Sequence, residues 1–190
     1  KRPALSRKLT QLLSAMEDAR TLLIVLQDNP DPDAIASAAA LRALAHARAG
    51  LVCSIAHGGV VGRAENRAML RYLGLRLHPI RRIDFSRFDR IAAVDTQPGA
   101  GNNSLPPSVA PHIVIDHHPM RPLTRRAGFT DVRSRCGATS TILHEYLRQA
   151  GIRPDTGLAT ALLYGIRSAT HDLGRETTRA DINAYLAQHE

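Results

Sequence analysis

The sequence predicts an α/β protein with a doubly wound, mainly parallel sheet that carries helices on both faces. Three observations lead to this prediction. Short apolar runs alternate with longer segments of helical periodicity, as in sheets wound by right-handed crossovers. The short runs are apolar at every position, which is typical of strands covered on both faces. Aromatic residues make up only 4% of the chain and Trp is absent, so the core must consist mostly of Leu, Ile, Val and Ala.

Each element has its own signal in the chain. A Leu stripe that runs to Met16 indicates the first helix. Later helices end at Gly50, Gly74 and Gly151, because glycine readily takes the left-handed conformation that stops a helix. The runs TLLIVL, LVCSIA, RIAAV and HIVI indicate strands, and QPGAGNNSLPPS is a long loop. The predicted elements are helix 4–19, strand 21–26, helix 34–49, strand 51–56, helix 62–74, strand 90–94, strand 112–115 and helices 137–151, 155–168 and 178–188.

Length and composition set broad limits. A chain of 190 residues fits one domain over 1–190. No apolar run approaches the roughly 20 residues that span a bilayer, so we expect no membrane partner. The first residues, KRPALSRKLTQ, lack the apolar centre of a signal peptide, which predicts a cytoplasmic protein. Cys53 and Cys136 are then expected to be reduced thiols.

The chain is basic, with a net charge of +8, and Lys1 and Lys8 are its only lysines. A basic surface favours anionic partners such as nucleotides or nucleic acid. A genome that prefers arginine codons explains the same composition equally well. Since no arginine-rich block stands apart as a tail, the charge is expected to be spread over the fold.

Acidic residues and histidines follow three separate strands. Asp31 and Asp33 come after strand 21–26, Asp95 comes directly after strand 90–94, and an Asp-His-His run at 116–118 follows the next strand. Because the carboxyl ends of parallel strands meet at one edge of a sheet, these side chains are expected to converge there. Each motif alone has an ordinary interpretation as a turn, a helix cap or a solvated loop. Their common position favours a shared site.

Packed carboxylates repel one another unless a cation neutralises them. Carboxylate oxygens with an imidazole suit Mn²⁺ or Mg²⁺ better than a metal that prefers thiolates. Pairs of such ions are common in enzymes of phosphoryl chemistry. The sequence therefore predicts a metal cradle at this sheet edge.

Five stretches now point to a known family: NPDPDAIAS, AVDTQPGAG, VIDHHP, GATSTIL and LLYGIRSATHDLGR. In order and spacing they resemble the DHH phosphoesterases, and the resemblance covers most of the chain. It implies the α/β fold of a DHH domain and an enzyme that depends on two Mn²⁺ ions. Family members hydrolyse nano-RNA or cyclic dinucleotides, one is a single-strand exonuclease, and family II pyrophosphatases are cousins.

The resemblance implies a role for individual positions. The metal-ligand positions would be Gln27, Asp31 and Asp95 for one ion, and Asp33, Asp95, His117 and Ala169 for the other. His118 would face the scissile phosphate and act in catalysis with the bridging Asp95. Asp116 would orient His117 and fix its tautomer. The segment CGATST, at a helix start, predicts phosphate contacts from Gly137, Thr139 and Ser140.

Two of these positions depart from the family pattern. Gln27 stands where the family has His, and Ala169 stands where it has Asp. Each ion would lose one ligand, so we expect partial or absent Mn²⁺ occupancy. Asp28, His171 and Asp172 lie nearby in sequence as substitutes, although Asp172 also fits the pattern beside the missing Asp. A natural degenerate homologue and a deliberately inactivated protein both remain open.

The family commonly carries a second, substrate-binding domain after the DHH domain, and we expect it to lie outside this chain. The predicted function is metal-dependent hydrolysis of phosphodiester bonds in short oligonucleotides or in cyclic or linear dinucleotides. The alternative is a nucleotide-binding or regulatory module of DHH fold with weak or lost turnover. A pyrophosphatase is a weaker alternative, and homodimerisation is left open.

Overall fold

The computed structural model describes residues 6–174 and 177–189, which contain a six-stranded sheet with all strands parallel. Its strand order is β3-β2-β1-β4-β5-β6, so the direction of winding reverses between β1 and β4. The predicted parallel α/β sheet is confirmed. The strands are β1 Thr21–Val25, β2 Val52–His57, β3 Leu77–Pro79, β4 Arg90–Val94, β5 Ile113–Asp116 and β6 Phe129–Val132.

Six α-helices lie in the described residues. They are α1 Arg7–Ser14, α2 Pro32–Ala49, α3 Ala64–Tyr72, α4 Thr139–Gln149, α5 Thr156–Ala169 and α6 Arg179–Ala187. Helix α2 is buried over most of its length because it packs against the sheet and against helices α4 and α5. Its many alanines let these helices approach closely. One close approach is at Gly165 of α5, where an added Cβ would lie 2.6 Å from Ser140 Oγ and 3.2 Å from the Pro32 carbonyl oxygen.

The two faces of the sheet have different covers. Leu22, Ile24 and their neighbours on one face pack against α1 to α5 in the main core. Leu23, Val25 and Ile91 on the other face pack against a smaller apolar layer. That layer comes from the 3₁₀ helices Ile80–Arg82 and Phe85–Arg87 and from loop residues such as Leu105 and Val109. Helical segments thus flank both faces as predicted, with the α-helical core on one of them.

Element bounds differ from the predictions mainly at the ends of the chain and at the edges of the sheet. Helix α1 begins after its Ser6 cap and ends at Ala15, short of the predicted end at 19, and residues 4 and 5 of the predicted helix lie outside the described residues. Strands β3 and β6 were not predicted, and both lie at sheet edges. No helix in the described ranges is long and apolar enough to cross a membrane.

Three neighbouring strands in the middle of the sheet position the site. Val25 of β1 pairs with Ala93 of β4, and Val94 of β4 pairs with Ile115 of β5. The backbone N–H of Asp95 then donates to the Ile115 carbonyl at 3.0 Å, which continues the ladder past the end of β4. The segments after β1, β4 and β5 therefore emerge side by side at one edge.

Candidate metal centre

Asp33 links the start of α2 to the start of α4. Its carboxylate is 1% exposed and accepts the backbone N–H groups of Thr139 and Ser140, both at 2.8 Å. Ala138, at the N-cap of α4, has no side chain that could make these bonds. A carboxylate is favourable at this place because a helix N-terminus carries partial positive charge. Asp33 is thus the cap of a helix other than its own.

Asp95 turns into the protein at the end of β4. Its backbone has a φ of 58°, in the left-handed region that Asp tolerates better than most residues. The carboxylate is 1% exposed. Oδ1 accepts the Thr139 hydroxyl at 2.8 Å, and Oδ2 lies 3.5 Å from the side-chain amide nitrogen of Gln27. Gln27, predicted as a weak ligand through its oxygen, here presents a donor to Asp95 instead.

His117 points one ring nitrogen at both carboxylates. Its Nε2 lies 3.8 Å from Asp33 Oδ2 and 3.7 Å from Asp95 Oδ1. Its Nδ1 lies 3.2 Å from the Cys136 carbonyl oxygen, which only accepts hydrogen bonds, so this nitrogen carries the hydrogen. In the neutral ring the lone pair on Nε2 therefore faces the two carboxylates. Three electron-pair donors converge, the arrangement of a cation site.

The electrostatics of the pair agree with that geometry. Burial raises the pKa of Asp95 well above its ordinary value, and Asp33, Asp31 and Asp116 raise it further. Burial also raises the pKa of Asp33, against an opposing effect of His117. Buried carboxylates whose pKa values are raised in this way are stabilised as anions when a divalent cation binds them. Two carboxylates and an imidazole fit a hard or borderline ion such as Mn²⁺ or Mg²⁺.

Asp116 is surrounded by hydrogen-bond donors. Its Oδ1 accepts the backbone N–H of His117 and the Nδ1–H of His118, both at 2.8 Å, and its Oδ2 accepts the Gln97 side-chain amide at 2.7 Å. Burial opposes ionisation, but these bonds outweigh it and lower the pKa of Asp116. The prediction that Asp116 fixes the His117 ring is corrected, because Asp116 holds the His118 ring and the Cys136 carbonyl holds His117.

His118 is the exposed member of the Asp-His-His run. Its side chain is 50% exposed, and its hydrogen bond to Asp116 raises its pKa despite partial burial. Ligand atoms of Asp95, His117 and His118 lie within 4.8 Å of one another. His118 therefore combines a fixed ring with a free edge toward solvent.

An open cleft of about 790 Å³ lies over these residues. Ala169, where the family pattern places an Asp, is part of its wall, so a side chain at this position would face the site. Asp31 is also in the wall, and its Oδ1 caps α2 by accepting the Ala34 N–H at 2.9 Å. Other lining residues include Asp33, His117, His118, Ser134, Arg135 and Cys136.

The suggested substitutes for the missing ligands lie elsewhere. Asp172 is 72% exposed and pairs with Arg167 at 2.6 Å, so its carboxylate is committed to that guanidinium. His171 is exposed in the same left-handed turn. The Asp28 carboxyl packs against Gly58, where an added Cβ would lie 2.0 Å from Oδ1. The structure does not bring these three into the cluster.

The predicted phosphate contacts lie beside the cluster. The N–H groups of Thr139 and Ser140 donate to Asp33, and the Gly137 N–H donates to Asp181 at 3.0 Å. A role of these three residues in phosphate binding stays a prediction. The backbone donors on which it relied are all used by carboxylates of the chain itself.

Sequence reasoning missed three partners of the site, namely Gln97, the Thr139 hydroxyl and the Cys136 carbonyl. Gln97 is 1% exposed and comes two residues after Asp95, so its position after a strand was the available signal. Nothing in the sequence marks the Cys136 carbonyl as a partner of His117, because every residue has a backbone carbonyl.

Known proteins resemble this chain in sequence and in fold. A model of the DHH family, N-terminal domain, matches residues 21–166. An uncharacterized protein of Methanocaldococcus jannaschii, MJ1633, is 42% identical over 198 residues, which cover 95% of this chain and 40% of that protein. The chain thus spans about two fifths of the length of that relative. An exopolyphosphatase-related protein from Bacteroides fragilis superimposes with a TM-score of 0.76 at 15% identity, over 99% of this chain and 58% of the other.

Proposed function

Because the chain belongs to the DHH family, we propose that it hydrolyses phosphodiester bonds of short oligonucleotides or of cyclic or linear dinucleotides, with bound Mn²⁺ or Mg²⁺. Family membership supports a metal-dependent phosphoesterase in general. One observation carries it. The Nε2 of His117, whose Nδ1 is held by the Cys136 carbonyl, faces the buried carboxylates of Asp33 and Asp95 at 3.8 and 3.7 Å, beneath an open cleft.

Asp33, Asp95 and His117 would hold one divalent ion. Asp31 and Asp95 are the remaining carboxylates for a second, with Gln27 beside them. When bound, such ions lower the pKa of water and offset negative charge on a phosphoryl group. Thr139 and the Cys136 carbonyl keep Asp95 and His117 in place before any ligand binds.

His118 would meet the phosphate directly. Asp116 accepts its Nδ1–H, which fixes the ring and stabilises the imidazolium form. The opposite edge of the ring lies in the cleft wall, where a positive charge offsets charge that develops on phosphoryl oxygens. Arg135, in the same wall, would add a second positive charge.

A nucleotide-binding module with little turnover is the second candidate. Two observations favour it. The amide nitrogen of Gln27 lies 3.5 Å from Asp95, where a donor competes with a cation for the same oxygen. Ala169 brings no ligand atom to the cleft wall. A protein of this kind would retain the cleft and bind nucleotides, yet hydrolyse them slowly.

The variants Gln27→His and Ala169→Asp, alone and together, separate the two candidates. We expect the double variant to hydrolyse bis(p-nitrophenyl) phosphate and pApA in Mn²⁺ at least 10–100-fold faster than the unmodified chain, since ligand changes alter metal affinity or activity by about that factor or more. Each single variant should gain much less, because groups that act as a unit have non-additive effects. Gln11→His, on the exposed side of α1, controls for an added histidine.

Bound Mn²⁺ is counted by elemental analysis in parallel. Equal rates for the unmodified chain and the double variant would show that Gln27 and Ala169 do not disable the site. Two bound ions in the double variant without any hydrolysis would favour the binding module.

A further inference from the structure

We propose that residues 119–126, here called the basic shelf, bind the nucleotides on one side of the scissile phosphate in a single-stranded nucleic acid. The inference rests on the proposed function, because it assigns a substrate surface to the same cleft. The shelf begins directly after His118, and its first residue, Pro119, lines the cleft. Its second half is the 3₁₀ helix Pro122–Arg126 between β5 and β6.

The shelf is held from below by a buried side chain. Gln97 Oε1 accepts the Arg121 N–H and the Thr124 hydroxyl, both at 2.8 Å. Its amide nitrogen donates to the Pro119 carbonyl at 3.1 Å and to Asp116 at 2.7 Å. The same residue thus fixes the shelf and the carboxylate that orients His118. A surface built in this way keeps its position relative to the site.

The exposed side of the shelf carries unpaired positive charge. Arg121, Arg125 and Arg126 are exposed, and among the ion pairs of the described residues none involves them. Arg133 and Arg167, in contrast, are paired with carboxylates. Three unpaired guanidinium groups on one short segment beside the cleft favour a ligand with several negative charges.

Two large apolar side chains lie among these arginines. Met120 is 45% exposed and Leu123 is 41% exposed. An inorganic polyphosphate would pair with the arginines and leave both apolar side chains in water. A single-stranded nucleic acid presents phosphates and the apolar faces of unstacked bases together, which matches the two kinds of side chain on the shelf.

The test measures binding of a fluorescein-labelled five-nucleotide RNA to the full chain by fluorescence anisotropy, in EDTA so that hydrolysis is suppressed. One variant combines Arg121→Gln, Arg125→Gln and Arg126→Gln, and another combines Met120→Ser and Leu123→Ser. The matched control combines Arg81→Gln, Arg82→Gln and Arg87→Gln, which removes three exposed arginines from the 3₁₀ helices that precede β4. Thermal melts establish that each variant is folded.

We expect the shelf arginine variant to weaken RNA binding at least about tenfold. The slope of the logarithm of the binding constant against the logarithm of the salt concentration should become shallower by about two, the value for three lost phosphate contacts to a single strand. The apolar variant should weaken RNA binding roughly threefold or more, while leaving competition by inorganic polyphosphate unchanged. The control should change affinity less than about threefold, as long-range charge effects are screened by salt.

Equal losses in the shelf variant and the control would overturn the proposal, because the basic charge would then act without a defined site. It would also be overturned by an apolar variant with full RNA affinity, or by absence of RNA binding in the unmodified chain. Hydrolysis of bis(p-nitrophenyl) phosphate by the unmodified chain tests the proposed function separately, since that reaction needs no RNA contact.

Discussion

Asp116 and Asp95 end neighbouring strands and are both 1% exposed, but their surroundings are opposite. Asp116 accepts hydrogen bonds from the His117 N–H, the His118 ring and the Gln97 amide, and its pKa is lowered. Asp95 accepts the Thr139 hydroxyl and lies 3.5 Å from the Gln27 amide nitrogen, but burial and the nearby carboxylates of Asp33, Asp31 and Asp116 raise its pKa. Equal burial at one sheet edge thus produces one carboxylate stabilised as an anion and one that is not.

The difference separates two tasks within the site. The chain supplies donors to Asp116, which therefore serves to orient groups. Around Asp95 it supplies further negative charge, which a bound cation would neutralise. A buried charge with few donors is unfavourable, so the surroundings of Asp95 favour binding of a cation.

The largest expected effect is on metal binding. Asp95→Asn removes the carboxylate shared by all the predicted ligand sets, so Mn²⁺ affinity should fall at least about 100-fold. Asp116→Asn, one strand away, should reduce it less than about tenfold because Asp116 does not face His117 Nε2. Isothermal titration calorimetry measures both. Similar losses would show that the two carboxylates do not have separate tasks.

The stability of the fold around Asp116 is expected to depend strongly on the buried side chain of Gln97. Gln97→Leu removes a buried donor from Asp116 and leaves the Arg121 N–H without its acceptor. We expect the free energy of unfolding to fall by about 2–4 kcal/mol, measured by urea denaturation in EDTA. Gln11→Leu, on an exposed position of α1, should change it by less than about 0.5 kcal/mol. If Gln97→Leu leaves the free energy of unfolding unchanged, Asp116 does not depend on this amide.

On the side of Asp95 and Asp33, helix α5 packs closely against the starts of α2 and α4. Gly165→Ala would place a methyl group 2.6 Å from Ser140 Oγ and 3.2 Å from the Pro32 carbonyl. The Ser140 side chain or helix α5 must shift, so we expect a loss of about 1–3 kcal/mol in the free energy of unfolding, together with weaker Mn²⁺ binding. Gly62→Ala, which meets nothing within 4 Å, serves as the control. Equal effects of both changes would contradict the close approach.

The smallest expected effect is a gain in stability. In EDTA, Asp95→Asn should raise the free energy of unfolding by about 1 kcal/mol near neutral pH, because a poorly stabilised buried anion is removed. Since the folded-state pKa of Asp95 is raised, its contribution to stability is present below its ordinary value near 3.8 and is lost as pH rises through the folded-state pKa. The advantage of the variant should therefore grow with pH.

Thermal melts between pH 4 and pH 8 measure this gain. Asp116→Asn should show the reverse, since the stability from a carboxyl with a lowered pKa is present above the ordinary value and is lost as pH falls. A destabilised Asp95→Asn at every pH would contradict the proposed contrast.

The interior of the sheet was predictable and its edges were not. Strand β4 has the predicted bounds, 90–94, because RIAAV is a short apolar run that ends at an Asp. Strand β3 has three residues and ends at Pro79, and β6 contains Asp131, which breaks the apolar pattern. Edge strands need not be apolar throughout, so periodicity alone does not reveal them.

The site shows a similar division. The places of Asp33, Asp95 and His117 followed from strand ends, and the structure brings their side chains together. Their hydrogen-bond partners did not follow, because Thr139 and Cys136 come from segments far along the chain. The Asp116 error has the same origin, since the sequence does not tell which of two adjacent rings a carboxylate will meet.

Asp33 caps the start of α4 and also faces His117, and this double role limits which substitutions the protein can accept in evolution. A lineage that stopped using the cleft for hydrolysis could change positions 27 and 169 at little cost to folding, because in the described structure the Gln27 side chain makes a polar contact only with Asp95, and Ala169 adds only a methyl group to the small apolar cluster of Ala138, Ile166 and Ala184. It would not be free to discard Asp33, since the amides of Thr139 and Ser140 would then lie buried without an acceptor. The presence of this aspartate in a descendant would therefore reflect its role in folding and need not indicate activity. An Asp33→Ala variant would likewise lose stability as well as activity.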